Sequence, residues 1–344
     1  MRCLTLADAL RECGAQCCFI CRSGHGQLLD LISQRRYETI VLPVESDSFS
    51  LPTYPTHAAW LGTDWTTDAE QTKRALALQT VDWLVVDHYA LDSRWEQALR
   101  PVCQRLMVID DLADRPHSCD LLLDQNLGRT IQDYDDLLPH SARRLIGPEF
   151  ALLRPEFAHW RQHSLARRAQ PQLKHLLITM GGVDQGNASE QVLSALKSCE
   201  LPVDLHITVA MGWHAPWLMQ VQEQAAHMPW PTHVLDGVDN MAELMAESDL
   251  VIGAAGGTSW ERCTLGVPCF MLVLAENQRT GAAALQQSGA AIVIEGIKNL
   301  PSLLQILGPS SNVDHLLKMS VAAAKVTDGS GASKVVASML DNHV

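Results

Sequence analysis

The segment from Ser248 to Gln278, SDLVIGAAGGTSWERCTLGVPCFMLVLAENQ, places glycine, hydroxyl and carboxylate side chains at spacings that suit a phosphorylated ligand. An apolar run, Leu250–Gly253, leads into Gly256 and Gly257, then Thr258, Ser259 and Glu261, and a second apolar run follows at Pro268–Leu274. This order predicts a strand, a glycine turn, a helix opened by Thr258 and Ser259, and another strand. Glycine lets the backbone approach a ligand closely, and the unpaired N–H groups of a first helical turn favour phosphate oxygens. Glu261, three or four residues into the helix, can reach back to a ribose hydroxyl pair, as the acidic residue of dinucleotide folds does from another position. Thr258 and Glu261 fit a capping box equally well, with Thr258 as N-cap and Glu261 at N3. The double glycine before them, with Gly266-Val267-Pro268 and Glu276-Asn277-Gln278 after them, tips the reading towards a pocket for the diphosphate and ribose of a nucleotide.

A second glycine turn, Met180-Gly181-Gly182-Val183-Asp184, is followed by Asn187 and an Ala/Leu helical run, so Gly181, Gly182 and Asp184 join the candidate ligand contacts. Two further polar groups end apolar runs: Asp87-His88-Tyr89 after WLVV and Asp110-Asp111 after RLMVI. Ligands of open parallel sheets bind beyond the carboxyl ends of the strands, so four polar strand ends point to one face. Each also fits an ordinary turn, where Asp and Gly are common.

The elements that must position these groups alternate along the chain. Candidate strands are Gln16–Cys21, Glu38–Leu42, Trp83–Asp87, Arg105–Ile109, Leu121–Leu123 and Arg144–Ile146, then His175–Met180, Asp204–Val209, His233–Leu235, Leu250–Gly253, Pro268–Leu274 and Ala290–Ile294. Helical periods lie between them, the pattern of stacked βα units on parallel sheets. The polar run HWRQHSLARRAQPQLK divides the halves and reads as a linker or a solvated helix with a linker. The expected domains are therefore 1–152 and 174–344, with 153–173 between them: an α/β protein of two Rossmann-like domains facing a cleft. Residues 43–65, rich in Ser, Thr and Pro, read as a long irregular loop, and MRCLTLADALREC as an amphipathic helix.

Composition narrows the class. A chain of 344 residues holds two cores of ordinary size, and 47% hydrophobic with 19% charged residues is the balance of a globular protein. The net charge of −13 opposes non-specific nucleic-acid binding, which needs clustered Lys and Arg. No apolar run reaches the roughly 20 residues of a membrane span, and the N-terminus lacks the pattern of a signal peptide, so a cytoplasmic setting is expected. The ten cysteines read as reduced thiols. Cys18 and Cys21 match C-x-x-C but lie three apart on a strand, on opposite faces. His159 and His163 have helical i, i+4 spacing without a third ligand nearby, so no metal and no cofactor are expected.

At this point the residues resemble known families. GGTSWE, LGVP and the following ENQ are similar to the nucleotide-binding domain of GT-B glycosyltransferases of the MurG type. Over nearly the full length the chain resembles the PseG/SpsG-type nucleotide-sugar hydrolases of pseudaminic acid biosynthesis. MRCLTLADALRECGAQCCFICR, VVDHYALDSRWE, VIDDLADRPHSCDLLLDQN, GPEFALLRPEF, TMGGVDQGN and GAAGGTSWERCTLGVP carry that resemblance, in the family's order. The resemblance implies cleavage by water of the bond between UDP and a 2,4-diacetamido-2,4,6-trideoxy-altrose. It gives Glu261 to the ribose and Thr258 and Ser259 to the diphosphate, with Arg154 as a ligand contact at the hinge. Asp87, His88 and Tyr89 become candidate catalytic residues on the sugar side, and the turn of Asn277 and Gln278 faces the sugar. Arg154 also fits a salt bridge at a helix start, and His88 also fits a simple hydrogen-bonding role.

The family pattern begins with a strand and a G-x-G-H-x-x-R-C turn whose His is the general base; here Met1-Arg2-Cys3-Leu4 aligns with the end of that turn. The base and the first strand of the N-terminal domain are thus expected upstream of Met1, from a start placed too far downstream, or are absent from a truncated product. Without that strand two neighbouring strands would be left unpaired and the domain poorly stable. Ser23-Gly24-His25-Gly26 resembles the motif but follows the second expected strand of the family, so the base is not assigned to it. Three functions stay open: an inverting UDP-sugar hydrolase, a GT-B glycosyltransferase using a UDP-sugar, and a non-catalytic nucleotide-sugar binder.

Overall fold

The computed structural model describes residues 1–22, 28–43, 54–77, 80–213, 215–305 and 313–341. Residues 23–26, which carry the second G-H motif, and residues 44–53 of the expected 43–65 loop lie outside them. The chain divides into two units, Met1–Leu152 with Ala332–Val344, and Leu153–Gly331.

Unit 1 runs α1 (Arg2–Glu12), β1 (Cys18–Arg22), α2 (Leu29–Gln34), β2 (Glu38–Leu42), α3 (Trp65–Ala75), β3 (Val81–Val86), α4 (Ser93–Leu99), β4 (Cys103–Ile109), β5 (Leu121–Asp124) and β6 (Arg143–Ile146). Unit 2 runs α5 (Pro155–Arg168), β7 (His175–Thr179), α6 (Ala188–Leu196), β8 (His206–Met211), α7 (Leu218–Ala226), β9 (Thr232–Asp236), α8 (Met241–Glu247), β10 (Leu250–Ala254), α9 (Thr258–Thr264), β11 (Cys269–Leu272), α10 (Arg279–Gln287), β12 (Ile292–Ile294), α11 (Leu300–Leu304) and α12 (Val313–Ala324). The last helix, α13 (Gly331–Leu340), returns to unit 1, where Val335, Val336 and Met339 pack with Met107, Leu121 and Leu145.

One expectation about the domains is corrected, and one open alternative is decided. Residues 332–344 belong to the first unit, because the apolar face of α13 fills that core. The segment 153–173 is mostly helix: Pro155 starts α5 at a position that needs no N–H donor, and Arg168 anchors its end on unit 2 carbonyls.

Unit 2 holds one six-stranded parallel sheet, β12-β11-β10-β7-β8-β9. Its central strand β10 is buried at every residue, as expected of a strand covered on both faces. β10 pairs with β7 on one side, Gly253 opposite Thr179, and with β11 on the other, Gly253 opposite Met271.

Unit 1 is built differently. Its strands form a two-stranded sheet, β1-β2, and a four-stranded sheet, β3-β4-β5-β6, all parallel. Among the described residues β1 and β3 each have one paired neighbour, and their residues are mostly half-buried, whereas β5 is buried throughout. α1 joins the two sheets. Its Leu4 and Ala7 pack with Ile32, Tyr37 and Phe19, while Leu6 packs with Met107 and Ile109. Asp68 on α3 adds a second link, paired with Arg22 at 2.6 Å and accepting from Trp95 Nε1 at 2.9 Å.

Candidate functional site

The turn between β10 and α9 leaves its backbone unusually free. Ala255 N donates to Leu272 O, and Ser259 and Trp260 donate back to Gly256 and Gly257. The N–H groups of Gly256, Gly257 and Thr258 have no acceptor among the described residues. Neither Gly256 nor Gly257 needs to be glycine for its own fold. Neither has positive φ; a Cβ on Gly257 would meet nothing within 4 Å, and one on Gly256 would touch only Gln278 Nε2 at 3.8 Å. Gly253 contrasts with them, since its Cβ would lie 2.6 Å from Arg262 Nη1 and 2.8 Å from Thr179 O. The double glycine therefore keeps open an exposed stretch of three donor groups, an arrangement that suits an anion's oxygens.

The capping box does not form. Gly257 is the N-cap of α9, no side chain caps the helix, and Thr258 lies inside it. Glu261 consequently has no hydrogen-bond or ion-pair partner among the described residues. Burial pushes its carboxyl up to about 7, against the opposing pull of Arg154 and Arg262. A half-buried carboxylate without donors is poised to accept two hydroxyl hydrogens. Arg154 stands just before α5, its guanidinium 3.0 Å from Glu156 and 5.2 Å from the Phe157 ring centroid. Gln278 Oε1 accepts from Leu274 N at 2.9 Å, which aims its amide nitrogen at Gly256, while Asn277 is exposed. Ser259 is 3% exposed, and its Oγ accepts from Arg262 at 2.9 Å. α9 has only seven residues, so the bare N–H groups, rather than a long helix dipole, carry the attraction for an anion.

The second glycine turn is a different case. Gly181 has φ +87° and is required by the turn, and Gly182 is open to solvent on its Cβ side. Asp184, expected at the ligand, turns inward instead: its two oxygens accept from Ala188 N at 2.7 Å and Ser189 N at 2.9 Å, capping α6. Both oxygens accept from the first turn of α6 and the side chain is buried, which gives Asp184 a structural role.

In unit 1 the ends of β3 and β4 are tied to α1. Arg2 donates to both oxygens of Asp87 at 3.0 and 2.7 Å, and to Asp111 at 2.9 and 2.8 Å. Tyr89 donates to Asp111 at 2.7 Å and Cys3 to Asp87 at 3.2 Å. Burial would raise Asp87, but the hydrogen bonds and charge of Arg2 overcome it and hold the carboxyl below its usual range. Burial and Asp111 push the Tyr89 hydroxyl upward, so it stays protonated. His88 lies below the usual imidazole range because it is buried, and its Nδ1 accepts from Ala90 N at 3.1 Å. That bond assigns the proton of the neutral ring to Nε2. His88 Nδ1 is thus occupied, the Tyr89 hydroxyl stays protonated, and Asp87 is held ionised by Arg2.

Sequence reasoning passed over several groups. Arg2 was read only as part of a motif, yet it holds Asp87 and Asp111 together. His57, Trp60 and Tyr89 form an aromatic trio with ring centroids 4.5, 5.6 and 5.9 Å apart, and Trp60 is 63% exposed. Such a face next to carboxylates is chemistry that fits a sugar ring. Beneath it, Tyr134 bonds to Asp110 and Asp124 at 3.0 and 2.9 Å, and burial pushes Asp124 up to about 6. Asp and Tyr89 at strand ends were visible signals; His57 and Trp60, from a loop without periodicity, had none.

The paired histidines serve the surface, His163 contacting Glu247 at 2.6 Å. Among the described residues no group of His, Cys, Asp or Glu is arranged to hold a metal ion, and no helix is long and apolar enough to cross a membrane.

Residues 175–334 match the model of the glycosyltransferase family 28 C-terminal domain. Three curated relatives align with a little over half of the chain. An uncharacterized protein of Methanocaldococcus jannaschii is 26% identical over 206 residues, 58% of this chain and 41% of that protein. The UDP-2,4-diacetamido-2,4,6-trideoxy-beta-L-altropyranose hydrolase of Campylobacter jejuni is 28% identical over 207 residues, 60% of this chain and 71% of that one. The spore coat polysaccharide biosynthesis protein SpsG of Bacillus subtilis is 25% identical over 198 residues, 57% of each. Among solved structures, MurG of Acinetobacter baumannii superposes with a TM-score of 0.68 at 19% identity, covering 98% of this chain and 94% of that one. The UDP-GlcNAc 2-epimerase of Neisseria meningitidis gives 0.57 at 14%, covering 99% and 98%.

Proposed function

We propose that this chain, a GT-B protein of the PseG/SpsG type, hydrolyses a UDP-linked 2,4-diacetamido-2,4,6-trideoxy sugar to UDP and the free sugar, in the cytoplasm and towards pseudaminic acid. The observation that carries the nucleotide half of this reading is the turn at Gly256–Thr258. Two glycines that the fold does not require expose three unpaired N–H groups beside an unpaired carboxylate. The diphosphate takes the N–H groups and the Ser259 hydroxyl, and the ribose hydroxyls donate to Glu261. Arg154, next to Glu261 in charge, adds a planar cation for a phosphate or the uracil edge. The hydrolytic half is supported by the likeness to the Campylobacter jejuni hydrolase.

The reaction is a displacement at the anomeric carbon. Water oxygen forms the new bond to C1, the bond from C1 to the diphosphate oxygen breaks, UDP leaves with that electron pair, and the proton that the water loses passes to solvent. The developing charge is met by donors already in place, which need not reorganise. In unit 1, Arg2 holds Asp87 ionised and orients Asp111 through paired hydrogen bonds, and both carboxylates keep lone pairs that suit hydroxyl or amide hydrogens. Tyr89 and Trp60 offer apolar faces to the methyl groups.

Incubating the UDP-sugar with the protein alone tests this reading. UDP released without any acceptor, with the anomeric configuration inverted in the first product seen by proton NMR, is the expected result. Release only when an acceptor is added identifies a glycosyltransferase, and binding without release identifies a nucleotide-sugar binder; either refutes the hydrolase.

A further inference from the structure

The buried side of the β10–α9 turn holds a cation that the fold alone does not explain. Arg262 is 1% exposed, and its Nη2 donates to Ala254 O at 2.8 Å and to Ser259 Oγ at 2.9 Å. Its Nε and Nη1 have no hydrogen-bond partner, and it takes part in no ion pair among the described residues. Arg168, in the same unit, shows what a structural arginine looks like. It is 4% exposed, and its two amino nitrogens reach the carbonyls of Ser164, Met245, Ala246 and Ser248 and the Ser164 hydroxyl. Arg262 has two acceptors where Arg168 has five. A buried guanidinium with most of its donors idle is unfavourable in the empty protein. The central strand also gives up a side chain to admit it, because any Cβ on Gly253 would collide with Nη1.

We infer that Arg262 is the fixed countercharge of the diphosphate, a positioning residue that acts through Ser259 and the turn without touching the ligand. This inference rests on the nucleotide reading of the same turn. Ser259 Oγ accepts from Arg262, which leaves the hydroxyl hydrogen to donate towards a phosphate oxygen. The positive charge is held on the buried side of the turn, at Ala254 O and Ser259 Oγ, where screening is weakest. When the diphosphate leaves the sugar and gains charge, this cation is already in place and needs no reorganisation.

The test compares UDP with uridine, which share the base and ribose but differ in charge. Both are titrated by NMR or calorimetry into the wild-type protein, Arg262→Met and Arg262→Lys. Arg262→Met is expected to weaken UDP about 10- to 100-fold, the scale of one partly shielded unit charge, and uridine by less than about threefold. Arg262→Lys, which keeps the charge, recovers most of the loss. Equal loss of both ligands, or of neither, overturns the inference, since a merely structural arginine does not distinguish charge. If Arg262→Met does not fold, Ser259→Ala provides the same comparison, with UDP weakened and uridine spared; equal effects again overturn it. A wild-type protein that binds neither UDP nor uridine fails the nucleotide reading itself.

Discussion

Changing Glu261 to Gln should abolish a pH dependence that the wild-type site is built to show. The Glu261 carboxyl sits at about 7 in the empty protein because it is buried without donors. Ribose hydroxyls bind best to the ionised form, so affinity should follow the ionised fraction. With a pKa about 7, roughly one molecule in eleven is ionised at pH 6 and ten in eleven at pH 8, so affinity should rise about tenfold between them and then level off. The sign is opposite for the empty protein. A carboxyl raised on folding contributes stability that is complete below the usual glutamate range and is lost as pH rises through about 7. The nucleotide reverses that loss by supplying donors. The assay is calorimetric titration from pH 6 to 8 with a UDP-sugar whose anomeric oxygen is replaced by methylene. Such a ligand is not hydrolysed and has no phosphate monoester, whose second pKa near about 6 would add its own slope. Glu261→Gln should bind about 10- to 100-fold more weakly at pH 8, from the loss of charge-assisted bonds, and with no slope. A wild-type affinity flat from pH 6 to 8, or an unchanged slope in the variant, refutes the assignment of ribose to Glu261.

Three other predictions follow from the same geometry. Gly253→Ala should cost roughly 2 kcal/mol or more through overpacking against Arg262 and Thr179, lowering the melting transition of unit 2 by about 4–8 °C; an unchanged melt contradicts the close packing. Asp184→Ala should cost about 1–2 kcal/mol by uncapping α6 while leaving UDP affinity within about twofold; lost binding with intact stability returns Asp184 to the ligand. Hydrogen exchange should be faster for the amides of β3, which among the described residues pairs on one side only, than for those of β5; equal protection means that the open side of β3 is covered.

All twelve expected strands form, most of them shifted by one or two residues at an end. Strands of a covered parallel sheet are continuous apolar runs, and β4, β5, β7 and β10 are of that kind. Which core an element serves is less visible. The sequence of α13 has the period of an amphipathic helix, but nothing in it tells that its apolar face fits the β4–β5 core rather than the nearer unit 2. At the site, Gly256, Gly257 and Glu261 were legible because residue type and spacing carry the signal. Whether Thr258 caps the helix depends on where the first turn begins, which one residue of shift decides. Asp184 has a capping role that the sequence did not reveal, because a carboxylate after a glycine turn serves a helix as readily as a ligand. Arg262 went unread because an arginine within a helix normally marks its solvent face, and only the three-dimensional packing shows it turned inward beneath Gly253.

The most direct test of the central claim is a crystal structure of the protein with UDP. The account places diphosphate oxygens within hydrogen-bond distance, about 2.7–3.2 Å, of the N–H groups of Gly256, Gly257 and Thr258, with both ribose hydroxyls on the Glu261 carboxylate. UDP bound elsewhere, or Glu261 turned back to cap the helix beside an empty turn, contradicts it.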